Sequence, residues 1–413
     1  MQWAPDGRGV AYVRNIKRED TSYARIEFAD TSTGTPHVLL SGKSIEDLSR
    51  LEEGLQDMTW LPDGRLVFGG GQPDIHGTSC NLWQSRIDLR KLRASVPERM
   101  TDWSGFCVNN LSQTADGKKL VFNRLIELRS VYVSDFDAAN FRITEPRRLS
   151  VTEDISSPAG WTLDSRDVLI RSNREGSWGL YRRAIEGNKD AAIVTGREAI
   201  SIWVAVTPHA QWILFEEPAV PNSGLHRLMR TALEGGPVQE VLQGRDFHVG
   251  CPVRAANTCV MGELSADHKQ LIFKVLDPIG GRGAELTRIE DEHADELQWD
   301  LCPTEPQVLL HVPFTNELRL FSLMEKRSRV LNVKGPIHLR SVTWAADGGG
   351  FFATNILPNE AQLIHVDLQG NAHVLWTAEG NNTFLAGKES PDRRHVAIQK
   401  GVGNSNLWMA ENF

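Results

Sequence analysis

Apolar and polar positions alternate along this chain in short runs, and each run stops at a cluster of Gly, Pro, Asn or Asp. Period-two alternation between such stops predicts strands joined by hairpins. One phrase returns nine times: an apolar run that often carries Trp, a tight Pro/Asp/Gly turn, then an aliphatic run. The clearest copies are Trp3-Ala4-Pro5-Asp6-Gly7, Trp60-Leu61-Pro62-Asp63-Gly64, Trp161-Thr162-Leu163-Asp164-Ser165 and Trp344-Ala345-Ala346-Asp347-Gly348, each with Trp three residues before Asp. Weaker copies contain Asp116, Pro208, Asp267, Pro303 and Asp392. Within the second repeat, residues 57–60, 66–69, 81–88 and 97–101 read as four strands. A third strand of the same kind recurs at 25–28, 130–135, 178–183, 226–230, 317–321, 362–367 and 406–409.

Four short antiparallel strands per period of about 45 residues cannot hide both of their faces alone. Stacked round an axis they bury each other, which predicts an all-β fold, a β-propeller of four-stranded antiparallel blades. The turn phrases recur 37 to 58 residues apart. That spread fits blades with variable loops better than a β-helix with even rungs. Nine phrases imply eight or nine blades across 1–413, in one ring or as a partial ring over 1–150 and a second over 151–413. The last repeat stops in its third strand at Trp408, and the first opens on a stub at Gln2. The ring is therefore expected to lack strands at its N-terminal side, to continue upstream of Met1, and to self-associate through an unclosed blade edge.

The repeated Asp6, Asp63, Asp116, Asp164, Asp267, Asp347 and Asp392 read as turn residues. Asp accepts hydrogen bonds from the N–H groups just ahead, Pro presets φ, and Gly takes the φ > 0 corner. Trp3, Trp60, Trp161 and Trp344 read as inter-blade packing. A buried indole removes roughly 150–250 Å² from water, on the order of 4–6 kcal/mol gross. Trp103, Trp212 and Trp376 fall outside that phase and are the places to look for an aromatic ligand cage. The segment 44–54 reads as a short amphipathic helix between blades.

With the Trp/Pro-Asp-Gly turn and the strand Asn406-Leu407-Trp408-Met409 established, the chain resembles TolB-like, WD40-like bacterial β-propellers over essentially its whole length. Longer strings at 60–66, 79–83, 102–107, 281–286 and 404–413 resemble the C-terminal propeller of bacterial sensory proteins. In those a serine/threonine kinase or winged-helix domain comes first. The resemblance implies the sensing or docking half of such a protein and favours an extracytoplasmic, periplasmic setting. No residue here matches a kinase Gly-rich loop, a catalytic His-Arg-Asp or a recognition helix, so neither activity is carried over.

Composition narrows the chemistry. A net charge of -8 argues against non-specific nucleic-acid binding by this chain. No run approaches the ~20 apolar residues of a membrane span, and residues 1–7 have no signal-peptide pattern. Of five cysteines none has CxxC spacing. Cys251 and Cys259 flank a short loop that a disulfide can close, Cys80 and Cys107 occupy neighbouring repeats, and five reduced thiols is an equal alternative.

No Gly-x-Ser-x-Gly elbow or His-Glu-x-x-His pair occurs. Leu40-Ser41-Gly42-Lys43-Ser44 lacks the leading Gly of a phosphate loop, residues 280–283 read as a hairpin tip, and the acidic run 290–296 as a solvated loop. No catalytic, cofactor or metal residue is assigned. The expected role is a non-enzymatic module that binds a protein, a peptide or a ligand for signal transduction. The alternative is a hydrolase or lyase at the mouth of the central channel. An enzyme should gather perturbed His, Asp or Glu side chains there; a binder should show apolar and aromatic ones.

Overall fold

Val168 and Ile170 point one way from their strand and Leu169 the other, and all three are buried. The first two pack with Val131, Val133 and Leu149, while Leu169 packs with Leu180, Ile213 and Phe215. A sheet apolar on both faces needs a neighbour on each side, and that requirement shapes the whole computed structural model of this protein. The structure describes all residues except 19–20, 42–44, 46–54, 75–76, 104–105, 151–154, 188, 198, 220–224, 253–257, 381–382 and 412–413. Of the expected helix at 44–54 only Ile45, helical and buried, is described, and most of the phosphate-loop-like string lies outside the described residues. Among the described residues no helix is long and apolar enough to cross a membrane.

The blades, taken in chain order, fall into two units. The first unit holds Met1–Glu127 and Gly403–Phe413. Blade one is Gln2–Trp3, Gly9–Arg18, Thr21–Asp30 and Pro36–Leu40, and blade two starts from Leu55–Trp60 and Arg65–Asp74. Ile26 and Phe28 of blade one pack on Met58 and Trp60 of blade two. Leu61, Val67 and Leu82 pack in turn on Val108, Leu120 and Phe122 of blade three, which begins at Cys107–Gln113.

The second unit, Leu128–Ala219 with Leu225–Val402, contains six blades. Their first strands are Ser156–Trp161, Val204–Val206, Phe247–Gly250, Gln298–Leu301, Leu339–Trp344 and Thr383–Glu389. These strands stand side by side round an axis, and Thr383–Glu389 comes back beside Ser156–Trp161, so the ring of blades four to nine is closed.

The chain divides at Glu127/Leu128. The reason is a pair of long strands, Lys119–Asp137 of 19 residues and His395–Glu411 of 17, each of which passes from one unit into the other. A strand of that length serves two blades in succession, which no turn signal marks.

Two expectations are corrected. Trp60, Trp161 and Trp344 are buried, but Trp3 is 62% exposed and Trp408 47%. Trp3 stands in the two-residue strand of blade one, and Trp408 in the last strand of blade three, where Arg124 lies 4.8 Å from its ring. The place of the turn phrase within a blade is also not constant. In blade six the Asp267 turn joins the second strand, Cys259–Leu264, to the third, Gln270–Asp277, whereas elsewhere the phrase joins first to second.

Candidate functional site: the inner edge and mouth of the six-blade unit

The turn aspartates do one job. Oδ1 of Asp6, Asp63, Asp116, Asp164, Asp267, Asp347 and Asp392 accepts the backbone N–H two residues ahead, at 2.8–3.3 Å. Thr114, Thr162, Ser265 and Ser390 add a hydroxyl to the same carboxylates. These bonds hold the carboxyls of Asp116, Asp164 and Asp267 below the usual range, the hydroxyl being the largest cause. The corner residue has φ > 0 even where it is Ser165, His268 or Arg393 instead of Gly. The seven carboxylates cap separate hairpins and do not converge on one site.

The off-phase tryptophans hold no empty cage. Trp103 packs against Phe106 and Phe122 at 5.4 and 5.2 Å. Arg230 lies 4.9 Å from the Trp212 ring, and Lys400 lies 5.2 Å from Trp376, so the chain's own cations take these faces. In the acidic run, Asp291 is held by Arg319 at 2.7 Å. Among the described residues no group of three or more His, Cys, Asp or Glu is placed to hold a metal. Cys251 is joined to Cys259 and Cys80 to Cys107, while Cys302 is free and buried. Two surface clefts, about 610 Å³ beside Asp6 and Arg86 and about 350 Å³ beside Cys302 and Gly348, sit at hairpin turns.

The mouth at the start of the inner strands is different in kind. Ile202 is 54% exposed just before the inner strand of blade five, and Phe314 is 59% exposed. The Phe314 N–H donates to Leu339 O, which places Phe314 beside the first residue of blade eight's inner strand. Between them, in the inner strand of blade six, His248 stacks on Trp203 with ring centroids 4.9 Å apart. Its Nδ1 is 3.2 Å from Oε2 of Glu216, whose side chain is almost fully buried. A charged rim adjoins: Glu217 pairs with Arg227 at 3.0 Å and Arg197 at 3.5 Å.

Of the titratable groups with large shifts, His311 stands near this mouth, three residues before Phe314 and paired with Gln298 at the start of blade seven's inner strand, while His365 and Glu389 lie elsewhere. Burial holds the His311 and His365 imidazoles down to about 4 and pushes the Glu389 carboxyl up to about 7. His311 sits in the second strand of blade seven, His365 beside Phe141, Phe136 and Phe352, and Glu389 accepts the Ala346 N–H while Arg393 approaches its other oxygen. The three are not gathered at the mouth. Sequence reasoning missed the whole mouth patch. Its residues sit in loops and strand ends, where only the ring geometry makes them neighbours.

No family model matches this chain, and no curated protein matches it. Solved structures do. A putative TolB from Agrobacterium tumefaciens superposes with a TM-score of 0.50 at 12% identity, over 66% of this chain and 99% of that one. The fold is TolB-like. TolB from Acinetobacter baumannii gives 0.45 at 11% identity, over 84% of this chain and 83% of that one. A nidogen/laminin complex gives 0.43 at 12% identity, over 61% of this chain and 93% of that one.

Proposed function

We propose that the chain is a non-enzymatic binding module whose six-blade unit takes a protein or peptide segment on its mouth. The observation that carries this reading is the exposure of Ile202 and Phe314 round the axis, with Trp203 beside them. Exposed apolar side chains beside a charged rim are what a partner's apolar anchor needs. The TolB likeness agrees in fold only. A sensory role, as the C-terminal half of a kinase or winged-helix protein, remains part of this proposal. Two disulfides fit an oxidising, extracytoplasmic setting. The test is a display library of random peptides selected on the intact chain. Enriched peptides with apolar anchors, lost on the double change Ile202→Asp and Phe314→Asp, support the reading; no enrichment, or enrichment the double variant keeps, overturns it.

The His248–Glu216 pair favours a second reading, a hydrolase or lyase. A buried carboxylate that fixes one imidazole nitrogen leaves the other for acid–base work. Turnover of a polysaccharide or peptide panel, lost in His248→Ala, would support it over the first.

A further inference from the structure

Asp300, Thr343 and Lys388 stand in the inner strands of three successive blades, each two residues before its blade's turn phrase. Each is bonded to the next blade round the ring. Trp344 N–H donates to Asp300 Oδ2 at 2.8 Å, Thr343 Oγ1 donates to Gly387 O at 3.0 Å, and Lys388 Nζ donates to Ala159 O at 2.9 Å. Their backbones are bolted as well. Trp344 Nε1 donates to Asp300 O at 3.2 Å, and Trp161 Nε1 to Lys388 O at 2.9 Å.

Thr343 is satisfied by its bond; the two charged groups are not. An ammonium has three donors and a carboxylate about four acceptor positions. Among the described residues neither Lys388 nor Asp300 sits in an ion pair, yet each feels the other's charge. Burial pushes the Asp300 carboxyl up and holds the Lys388 ammonium down, the directions of charges short of partners. Both residues are still partly reachable by solvent. The equivalent positions in blades four and five are Gly160 and Ala205. A Cβ added at Gly160 would meet nothing nearer than Leu169 Cδ1 at 3.9 Å. Blades four and five therefore put no long side chain into this level of the inner edge. Opposite charges held on a rigid frame without an ion pair between them, each with spare hydrogen-bonding capacity, are a template for a ligand that carries both signs.

We propose that Lys388 and Asp300 form a binding site for a small zwitterion of amino-acid or dipeptide size, the ammonium of Lys388 taking its carboxylate and the carboxylate of Asp300 its amino group. This site lies at the inner edge of the ring and does not depend on the mouth patch.

Calorimetric titration of the full chain with glycine, glycylglycine, acetate and methylammonium tests it. Saturable binding of a zwitterion, at least about tenfold tighter than acetate or methylammonium, is expected. Asp300→Asn, which keeps an oxygen for the Trp344 N–H, should weaken it about tenfold or more, and Lys388→Met should abolish it. If Lys388→Met fails to fold by circular dichroism, Asp300→Asn and Lys388→Arg carry the test. The proposal is overturned by no saturable heat up to about 10 mM zwitterion, by acetate binding as tightly as glycine, or by an unchanged affinity in Asp300→Asn. The Ile202→Asp/Phe314→Asp variant should keep zwitterion binding, which separates this site from the mouth.

Discussion

Trp161 and Lys388 hold each other across 227 positions of sequence: the indole Nε1 donates to the Lys388 carbonyl oxygen at 2.9 Å, and the Lys388 ammonium returns to Ala159 O. Strand Ser156–Trp161 opens the six-blade unit and strand Thr383–Glu389 closes it, so these two bonds are its clasp. Trp161→Phe keeps most of the packing and loses the bond, and urea unfolding should show a loss of about 1–2 kcal/mol. Among the described residues the buried Trp60 Nε1 has no partner, so Trp60→Phe should cost clearly less. Equal losses at the two sites would remove the clasp argument.

The turn phrase makes a finer prediction. His268 takes φ +58 at the corner where other copies have Gly, and it is half exposed. Left-handed backbone costs a non-Gly residue about 1–2 kcal/mol, partly offset by the greater freedom of Gly in the unfolded chain. His268→Gly should therefore raise stability by about 0.5–1 kcal/mol, while Asp164→Ala, which strips a turn of its acceptor, should lower it by about 1 kcal/mol. Thermal melts of the two variants should move in opposite directions.

Acid should loosen the protein before its aspartates protonate. His311 and His365 have native values near 4 against about 6.5 unfolded, so the unfolded chain binds protons that the native chain does not. Their contribution is complete above pH 6.5 and is lost as pH falls towards 4, up to about 3 kcal/mol each. Glu389 acts the other way: its native value of about 7 lies above its unfolded one, so its contribution is complete below about 4.5 and lost as pH rises through 7. Two terms against one give unfolding free energies that rise from about pH 5 to 6.5. Glu389→Gln should steepen that rise, and His365→Phe should flatten it.

Reduction should cost stability unequally. The Cys80–Cys107 bond spans 27 positions and Cys251–Cys259 only 8. Loop-closure entropy assigns about 3–4 kcal/mol to the first and about 2–3 to the second. Cys80→Ala/Cys107→Ala should therefore melt lower than Cys251→Ala/Cys259→Ala.

Strand His395–Glu411 pairs with Thr383–Glu389 through Val402, and beyond that point Leu407 and Met409 are exposed. Unpaired edges with apolar side chains recruit other edges. Concentration-dependent association in sedimentation, reduced by Leu407→Lys, is the expected outcome; a monomer at all concentrations would count against it.

Alternation and turn chemistry read locally, and local rules determined much of this protein. Trp60, Trp161 and Trp344 pack between blades, and seven aspartates cap the hairpins that their spacing announced. The phase slip in blade six was also legible: the turns, counted at Pro208, Ala266 and Pro303, are spaced 58 and then 37 residues apart, one long and one short, because the Asp267 turn lies one hairpin late. What no local rule contains is closure. That blade nine returns to blade four, that Lys119–Asp137 and His395–Glu411 each serve two blades, and that Trp203 stacks on His248 of the next blade were decided only by the tertiary structure. Each depends on distances between segments that are far apart in sequence, and only ring packing fixes those distances.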